Sequence, residues 1–258
     1  TLPKNPLCAS SVSKLALGLL LTAGCNTPSD PADSDTGEAI GLEGGFSLVF
    51  EDGGILDSHK ATIEPVVRET ISAVRELLSV NGVTIRVTVG TAFVIPEIGM
   101  GGRTNGPGEI QLVMSPDSAV LAQSLTTELF PLLAHEMHHV MRIRTAGFGS
   151  NLLEAMVTEG LADQFSIEVA AIEPPIWSRA LSEDELQIWY AQAREHWFDE
   201  SYNHDAWFFG TTGEIPRWAG YSIGFELTRL FLRANPGRRP SQLFGEPAAS
   251  FIPADAGG

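Results

Sequence analysis

Apolar positions fall into two rhythms along this chain. Thr84 to Val89 alternates apolar and polar residues, the period of a strand with one buried face, and Phe46 to Phe50 reads as another short strand. Between them, Ile63, Val66, Val67, Ile71, Val74 and Leu78 recur at helical spacing and predict an amphipathic helix over 61–78. Phe93 to Ile95 is a further strand candidate, the glycine-rich stretch Gly99 to Gly108 predicts a loop, and Glu109 to Met114 predicts a strand. Ser115-Pro116-Asp117 then opens a long helix over 118–144.

Helices dominate the rest of the chain. Asn151 starts one that runs to Ala170, and Glu154, three residues on, has the spacing of a capping box, which makes it structural. Ser182 and Glu185 repeat the signature for a third helix. A fourth spans Trp218 to Leu232 and stops at Asn235-Pro236-Gly237. No internal repeat is present. Strands mixed with one helix, with helices alone after them, predict an α+β fold.

The 258 residues and 43% hydrophobic content suffice for a buried core. Both cysteines, Cys8 and Cys25, precede the predicted elements, so the folded body has no disulfide and no thiolate ligand. Residues 1–25 have the layout of a secretory signal, with basic Lys4 and Lys14 ahead of the apolar run Leu15 to Leu21. That run is shorter than the roughly 20 residues a bilayer span requires. Leu21-Thr22-Ala23-Gly24-Cys25 resembles a bacterial lipobox, although Thr22 occupies the usual leucine position. The resemblance implies lipidation at Cys25, export to the cell envelope and a membrane anchor. Residues 26–45, rich in Pro, Ser, Asp and Gly, predict a flexible acidic tether, leaving 46–258 as the folded domain.

Net charge is −16, and it reaches −18 after the leader, where 14 basic residues face 32 acidic ones. Such a surface repels phosphate backbones, so nucleic acid is not an expected partner. The sequence says nothing of oligomeric state.

The chemistry concentrates in LLAHEMHHVMR, residues 132–142. On a helix, His135 and His139 project from one face and can grip one ion, while the adjacent Glu136 is offset toward a water on that ion, as a general base is. A continuation into HExxHxxGxxH would need Gly at 142 and His at 145, where the chain has Arg142 and Thr145. The third ligand is instead expected from LLEAMVTEGLADQF, residues 152–165, as Glu159, with Asp163 one turn on to orient a ligand histidine. Two histidines and one carboxylate around an open position suit one catalytic Zn2+. Gly160 in mid-helix requires a packing or functional reason. His138 faces the other side of the helix and reads as a surface or core histidine.

An amide hydrolase also needs a donor for the oxyanion of its intermediate. Tyr221, His204, His196, Tyr202 and Arg217 are candidates, with Tyr221 first because it lies in the glycine-flanked RWAGYSIG, and His204 carried beside it.

These blocks, with GGRTNGPGEIQLVM at 101–114 ahead of them and IPRWAGYSIG at 215–224 after, resemble a bacterial family of predicted zinc-dependent proteases, a domain of unknown function. The resemblance covers roughly residues 45–250. It implies a zincin-like domain of gluzincin type and a zinc metallopeptidase carried on His135, Glu136, His139 and Glu159, with a peptide or protein as substrate. In zincin-like folds a sheet edge beside the site helix often receives the peptide, and Glu109 to Met114 is the expected edge, with the glycine-rich loop as a mobile rim. Two other readings compete. One is an inactive peptide-binding lipoprotein with a retained zinc site, and the other is a zinc hydrolase of a non-peptide amide.

Overall fold

The computed structural model describes residues 37–147 and 149–254, so the expected leader, its Cys25 and most of the expected tether lie outside the described residues. Among these residues the fold is α+β: a five-stranded mixed sheet and, after it, a helical C-terminal part.

The first strand, β1 (Ile40–Gly41), pairs antiparallel with β2 (Ser47–Glu51), and a 3-10 turn, Glu43–Gly45, joins them. Strand β1 and the 3-10 turn fall within 26–45, so the end of the stretch expected as tether is structured, and Ile40 packs partly buried against the core. Helix α1 (Asp57–Leu77) then crosses over to β3 (Thr84–Val89), which runs parallel to β2. It begins four residues before the apolar rhythm does, because the Asp52 carboxylate accepts the Leu56 N–H at 2.6 Å and fixes the turn that enters it.

The sheet order is β1-β2-β3-β5-β4. Residues expected as a glycine-rich loop form β4 (Met100–Gly106), antiparallel to β5 (Glu109–Met114). Met100, Gly101 and Thr104 are buried, which ends the idea of a mobile rim. Glycine weakens a strand, but neighbours crowd this one: a Cβ on Gly101 would stand 1.8 Å from the Phe93 carbonyl oxygen. Strand β5 is therefore internal, parallel to β3 on its other side, and β4 is the edge. Phe93 to Ile95 forms no strand either. Phe93 sits in the left-handed region at φ 62°, and only Ile95 bridges to Met100.

One sheet face is buried and the other is polar, as the alternation requires. Ile85, Val87, Ile110, Leu112 and Met114 join the core with α1 and the site helix. On the open face Arg86 reaches Glu109 at 2.9 Å and also Glu51, while Gln111 donates to Thr88 at 3.2 Å.

The long helix expected over 118–144 is two. Helix α2 (Leu121–Thr127) ends at Glu128, whose φ of −107° breaks the rod, and α3 (Leu129–Thr145) starts afresh. Pro131 thereby falls in the first turn of α3, where a missing N–H costs no intrahelical bond. Helix α4 (Leu152–Ala170) is capped as expected, with the Asn151 side chain accepting from the Glu154 N–H at 3.0 Å. The Glu154 carboxylate returns to the Ser150 N–H, so its role is structural. Helix α5 (Glu183–His196) has the full capping box of Ser182 and Glu185. A short α6 (His204–Phe209), unforeseen because it is barely one turn and a half, precedes α7 (Ala219–Ala234). A second core of α4, α5, α6, α7 and the tail packs Trp197, Trp207, Phe208, Ile223 and Phe251. The site lies where α3, anchored in the first core, meets α4 of the second.

Candidate metal centre

Helix α3 is buried from Pro131 to Arg142, so its polar residues there are inside the protein and need partners. His135 and His139 lie one turn apart with ring centroids 4.5 Å from each other, both in the interior. From α4, the Glu159 carboxylate enters the same space. Its Oε2 stands 3.2 Å from Nε2 of His135 and 3.4 Å from Nε2 of His139. A tetrahedral ion with bonds of about 2.0–2.1 Å holds its donors about 3.3 Å apart, so these two separations match the edges of that tetrahedron. The residues present therefore fit a zinc ion.

Glu136 is also close, for donor atoms of His135, Glu136 and His139 lie within 4.8 Å of one another. Of the two carboxylates, Glu159 is the better ligand, because one of its oxygens touches both imidazoles. Glu136 is otherwise engaged: Thr104 of β4 donates its hydroxyl to Oε2 of Glu136 at 2.7 Å and stands 3.0 Å from its backbone carbonyl. Beside it Gly102 leaves the room it needs, since a Cβ there would stand 2.7 Å from both Cγ and Oε1 of Glu136. The edge strand thus positions the general-base candidate.

Behind the histidines, Asp163 is fully buried and saturated. It accepts from Trp177 Nε1 at 3.1 Å and Ser178 Oγ at 2.5 Å, and pairs with Nδ1 of His135 at 2.8 Å. With Nδ1 so engaged, Nε2 is the ring atom of His135 that faces Glu159 and the ion position. Burial opposes a charge on His135, but the charge and hydrogen bond of Asp163, then those of Glu159, outweigh it and raise its pKa well above the ordinary value. Burial likewise works to raise the Glu159 carboxyl, and His139 and His135 overturn it, holding that carboxyl far below the usual range. The pocket is thus built to keep Glu159 anionic among imidazoles.

In front of the donors lies a cavity of about 400 Å3 whose walls include His135, Glu136, Gly102, Trp177, Trp218 and Tyr221. Tyr221, the first oxyanion candidate, is brought to this wall. Burial, then the charges of Glu159, Asp163 and Glu136, push its phenol well above the ordinary value, so it is a proton donor at neutral pH. Two wall residues, Phe93 and Trp218, hold left-handed backbone conformations without being glycine, a strain that gathers at functional sites. A larger groove of about 860 Å3 between α5, α7 and the tail has no histidine in its lining.

The other oxyanion candidates fare differently. His204 is stacked on Phe208 at 4.4 Å and bonded to the Tyr202 hydroxyl at 3.1 Å, and its neighbour Asp205, not His204 itself, lines the cavity. Tyr202 is pushed up to about 12 by burial, then by Glu159 and Glu154. Arg217 lines the cavity but is bound to Glu97, and His196 is exposed at the end of α5. His138 is a core histidine, fully buried with its ring 5.4 Å from that of Phe165, and burial pushes its pKa well down.

Gly102 and Thr104 lie in the block at 101–114 that carries the family resemblance but had no role assigned there, and Trp177 and Ser178 carry no motif. Only the unusual density of glycine at 99–108 hinted that something approaches closely there.

No curated protein and no solved structure matches the chain. Residues 63–253 match a family described as "Predicted Zn-dependent protease (DUF2268)", a span that contains both histidines, both glutamates and Tyr221. Covering most of the chain, the match places it: this protein belongs to that family of predicted zinc-dependent proteases.

Proposed function

We propose that the protein is a zinc metallopeptidase, with His135, His139 and Glu159 as metal ligands and Glu136 as general base. The observation that carries this reading is the pair of separations from one Glu159 oxygen to the two imidazole nitrogens, 3.2 and 3.4 Å, which are those of a tetrahedral site. A zinc ion in that place supplies Lewis acidity, lowering the pKa of a water it binds to about 7 and polarising a carbonyl.

The chain's own residues do the rest. Glu136 removes a proton from the attacking water as its oxygen bonds to the scissile carbonyl carbon, then delivers that proton to the leaving nitrogen as the C–N bond breaks. Tyr221, kept protonated, donates to the oxygen that gains negative charge. Asp163 holds His135 in the tautomer and orientation that ligation needs.

The substrate backbone has a place to lie. The Met100 carbonyl faces away from β5 and accepts from the Ile95 N–H at 3.0 Å. The two-residue period of the strand turns the backbone of Gly102 the same way, beside Glu136, where an extended peptide can add to the edge. For the same reason the docking edge is β4 instead of the strand at 109–114. The leader of residues 1–25 supports export and lipid anchoring at Cys25, which would place this activity at the bacterial cell envelope.

The test is metal content and cleavage of a peptide library by residues 26–258, beside Glu136→Gln. One zinc per chain with turnover that disappears in the variant is the expected result. Equal, absent turnover in both would turn the reading to a zinc-holding peptide binder.

A further inference from the structure

The cavity beside the metal donors is unbalanced in charge. Phe93, Trp177, Phe209, Trp218 and Tyr221 give it aromatic walls, and besides His135 and Glu136 its charged lining groups are Arg217 and Asp205. Arg217 is neutralised: its guanidinium meets both oxygens of Glu97, at 2.7 and 3.2 Å, and lies 3.8 Å from the Trp218 ring centroid. Asp205 has no such counterion, and no basic side chain pairs with its carboxylate among the described residues. The nearest titratable neighbour in sequence is His204, whose pKa is lowered by burial despite the opposing pull of Glu159 and Asp205, so it adds no positive charge at neutral pH.

Asp205 is also held in place. Asn203 caps α6 by accepting the Ala206 N–H at 3.1 Å, and the next two residues, Trp207 and Phe208, are buried in the second core. A carboxylate in a first helical turn complements the helix dipole, which accounts for an acid at this position. It does not account for a wall of the reaction cavity in which the one arginine, Arg217, is already paired. Phe209, 43% exposed, is set in the same wall, and such a ring attracts ammonium and guanidinium groups, as the Phe93 ring of this wall already does with Arg103, whose guanidinium lies 4.9 Å from its centroid. The strongly acidic chain draws cations toward the cavity from further out.

We propose that Asp205 determines specificity by holding a positively charged group of the substrate, an ammonium or a guanidinium, beside the scissile bond. The group comes from a Lys or Arg side chain or from a free peptide N-terminus. The inference rests on the metallopeptidase reading for the word substrate, but its binding half can be tested separately.

Four peptides of one sequence serve as probes. Three are blocked at both ends and carry Lys, norleucine or Glu at one central position, and the fourth is the norleucine peptide with a free N-terminus. Their affinities for the zinc-loaded Glu136→Gln chain are read from tryptophan fluorescence, and their turnover is measured with the wild type. The Lys peptide, or the free-amine peptide, is expected to bind about tenfold tighter than blocked norleucine, and the Glu peptide weakest. In a second chain that also carries Asp205→Asn, that ratio should fall to near one. Loss of the advantage on replacing Lys assigns the side chain as the source, and loss on acetylation assigns the terminus. Equal affinity for all four peptides, or a preference that survives Asp205→Asn, overturns the inference. A binding preference without turnover of any peptide would instead overturn the peptidase reading and leave the cation site standing.

Discussion

Gly160 and Gly224 meet backbone to backbone where α4 crosses α7. A Cβ on Gly160 would stand 2.1 Å from the Gly224 carbonyl oxygen, and one on Gly224 would stand 2.0 Å from that of Met156. Glu159 precedes the first glycine, and Tyr221 lies one turn before the second. The crossing therefore sets the distance between the proposed ligand and the oxyanion candidate, so that the Glu159 charge adds to burial, the larger cause, in raising the Tyr221 phenol. This is the packing reason that a mid-helix glycine demanded.

Gly160→Ala should accordingly injure stability and site together. The added methyl has no room, and forcing α4 from α7 costs about 1–3 kcal/mol, a fall in Tm of several degrees for a domain of this size. Zinc affinity should fall with it, because Glu159 moves with its helix. A thermal melt beside a chelator-competition titration checks both; a lower Tm with unchanged zinc affinity would show that the crossing does not position Glu159.

How far the sequence could be read depends on where each signal resides. Helical and strand periods are local, so α1, β3, β5, α4, α5 and α7 were legible, as was the convergence of the candidate donors His135, His139 and Glu159 from two helices. Strand β4 was not, because its glycines are determined by what approaches from α3 and from the loop at Phe93, a tertiary fact with no local period. The break at Glu128 was visible only as an ill-placed Pro131. The lining of the cavity by Trp177, Asp205 and Thr104 depends on chain crossings that spacing does not encode.

Asp163→Asn tests the support behind His135. An amide keeps the shape and can still accept from Trp177 and His135 through its one oxygen, but it carries no charge behind His135 and leaves Ser178 Oγ, which donates to the other oxygen, without its acceptor. Partners behind a ligand histidine are typically worth about 10- to 100-fold in metal affinity. A weakening of that size in a chelator-competition titration is expected, and an unchanged affinity would reduce Asp163 to a packing role.

Arg142 stands where an extended histidine motif would need glycine, and it does a different job. Buried, it donates to Thr158 Oγ1 at 2.7 Å and to the carbonyls of Phe244 and Glu246 at 3.3 and 3.1 Å, tying α3 to α4 and to the C-terminal segment. Burial lowers its pKa, with Glu154 opposing, so part of what these bonds contribute is already offset by desolvation. Arg142→Met should thus cost about 2 kcal/mol, less than three charged hydrogen bonds would suggest. Hydrogen exchange should rise first over residues 240–254. Protection there equal to the wild type would mean that the aromatic packing of Phe251 holds the segment without the arginine.

Gly102→Ala separates the proposed general base from the proposed ligands. Its methyl would stand 2.7 Å from Glu136 Cγ and Oε1, so Glu136 must turn or β4 must retreat, while Glu159, His135 and His139 are held from α3 and α4 and by Asp163. Displacing a reacting group by about 1 Å can lower turnover about a hundredfold. Bound zinc should stay at the wild-type level while kcat drops by up to that factor. Thr104→Val reaches the same carboxylate by a different route, removing the hydroxyl that donates to Oε2, and should also lower kcat with zinc retained. If instead Gly102→Ala releases the metal, Glu136 is a ligand and not the base. The fourth coordination position would then be filled by protein, and the site would be of the closed, structural kind that performs no hydrolysis.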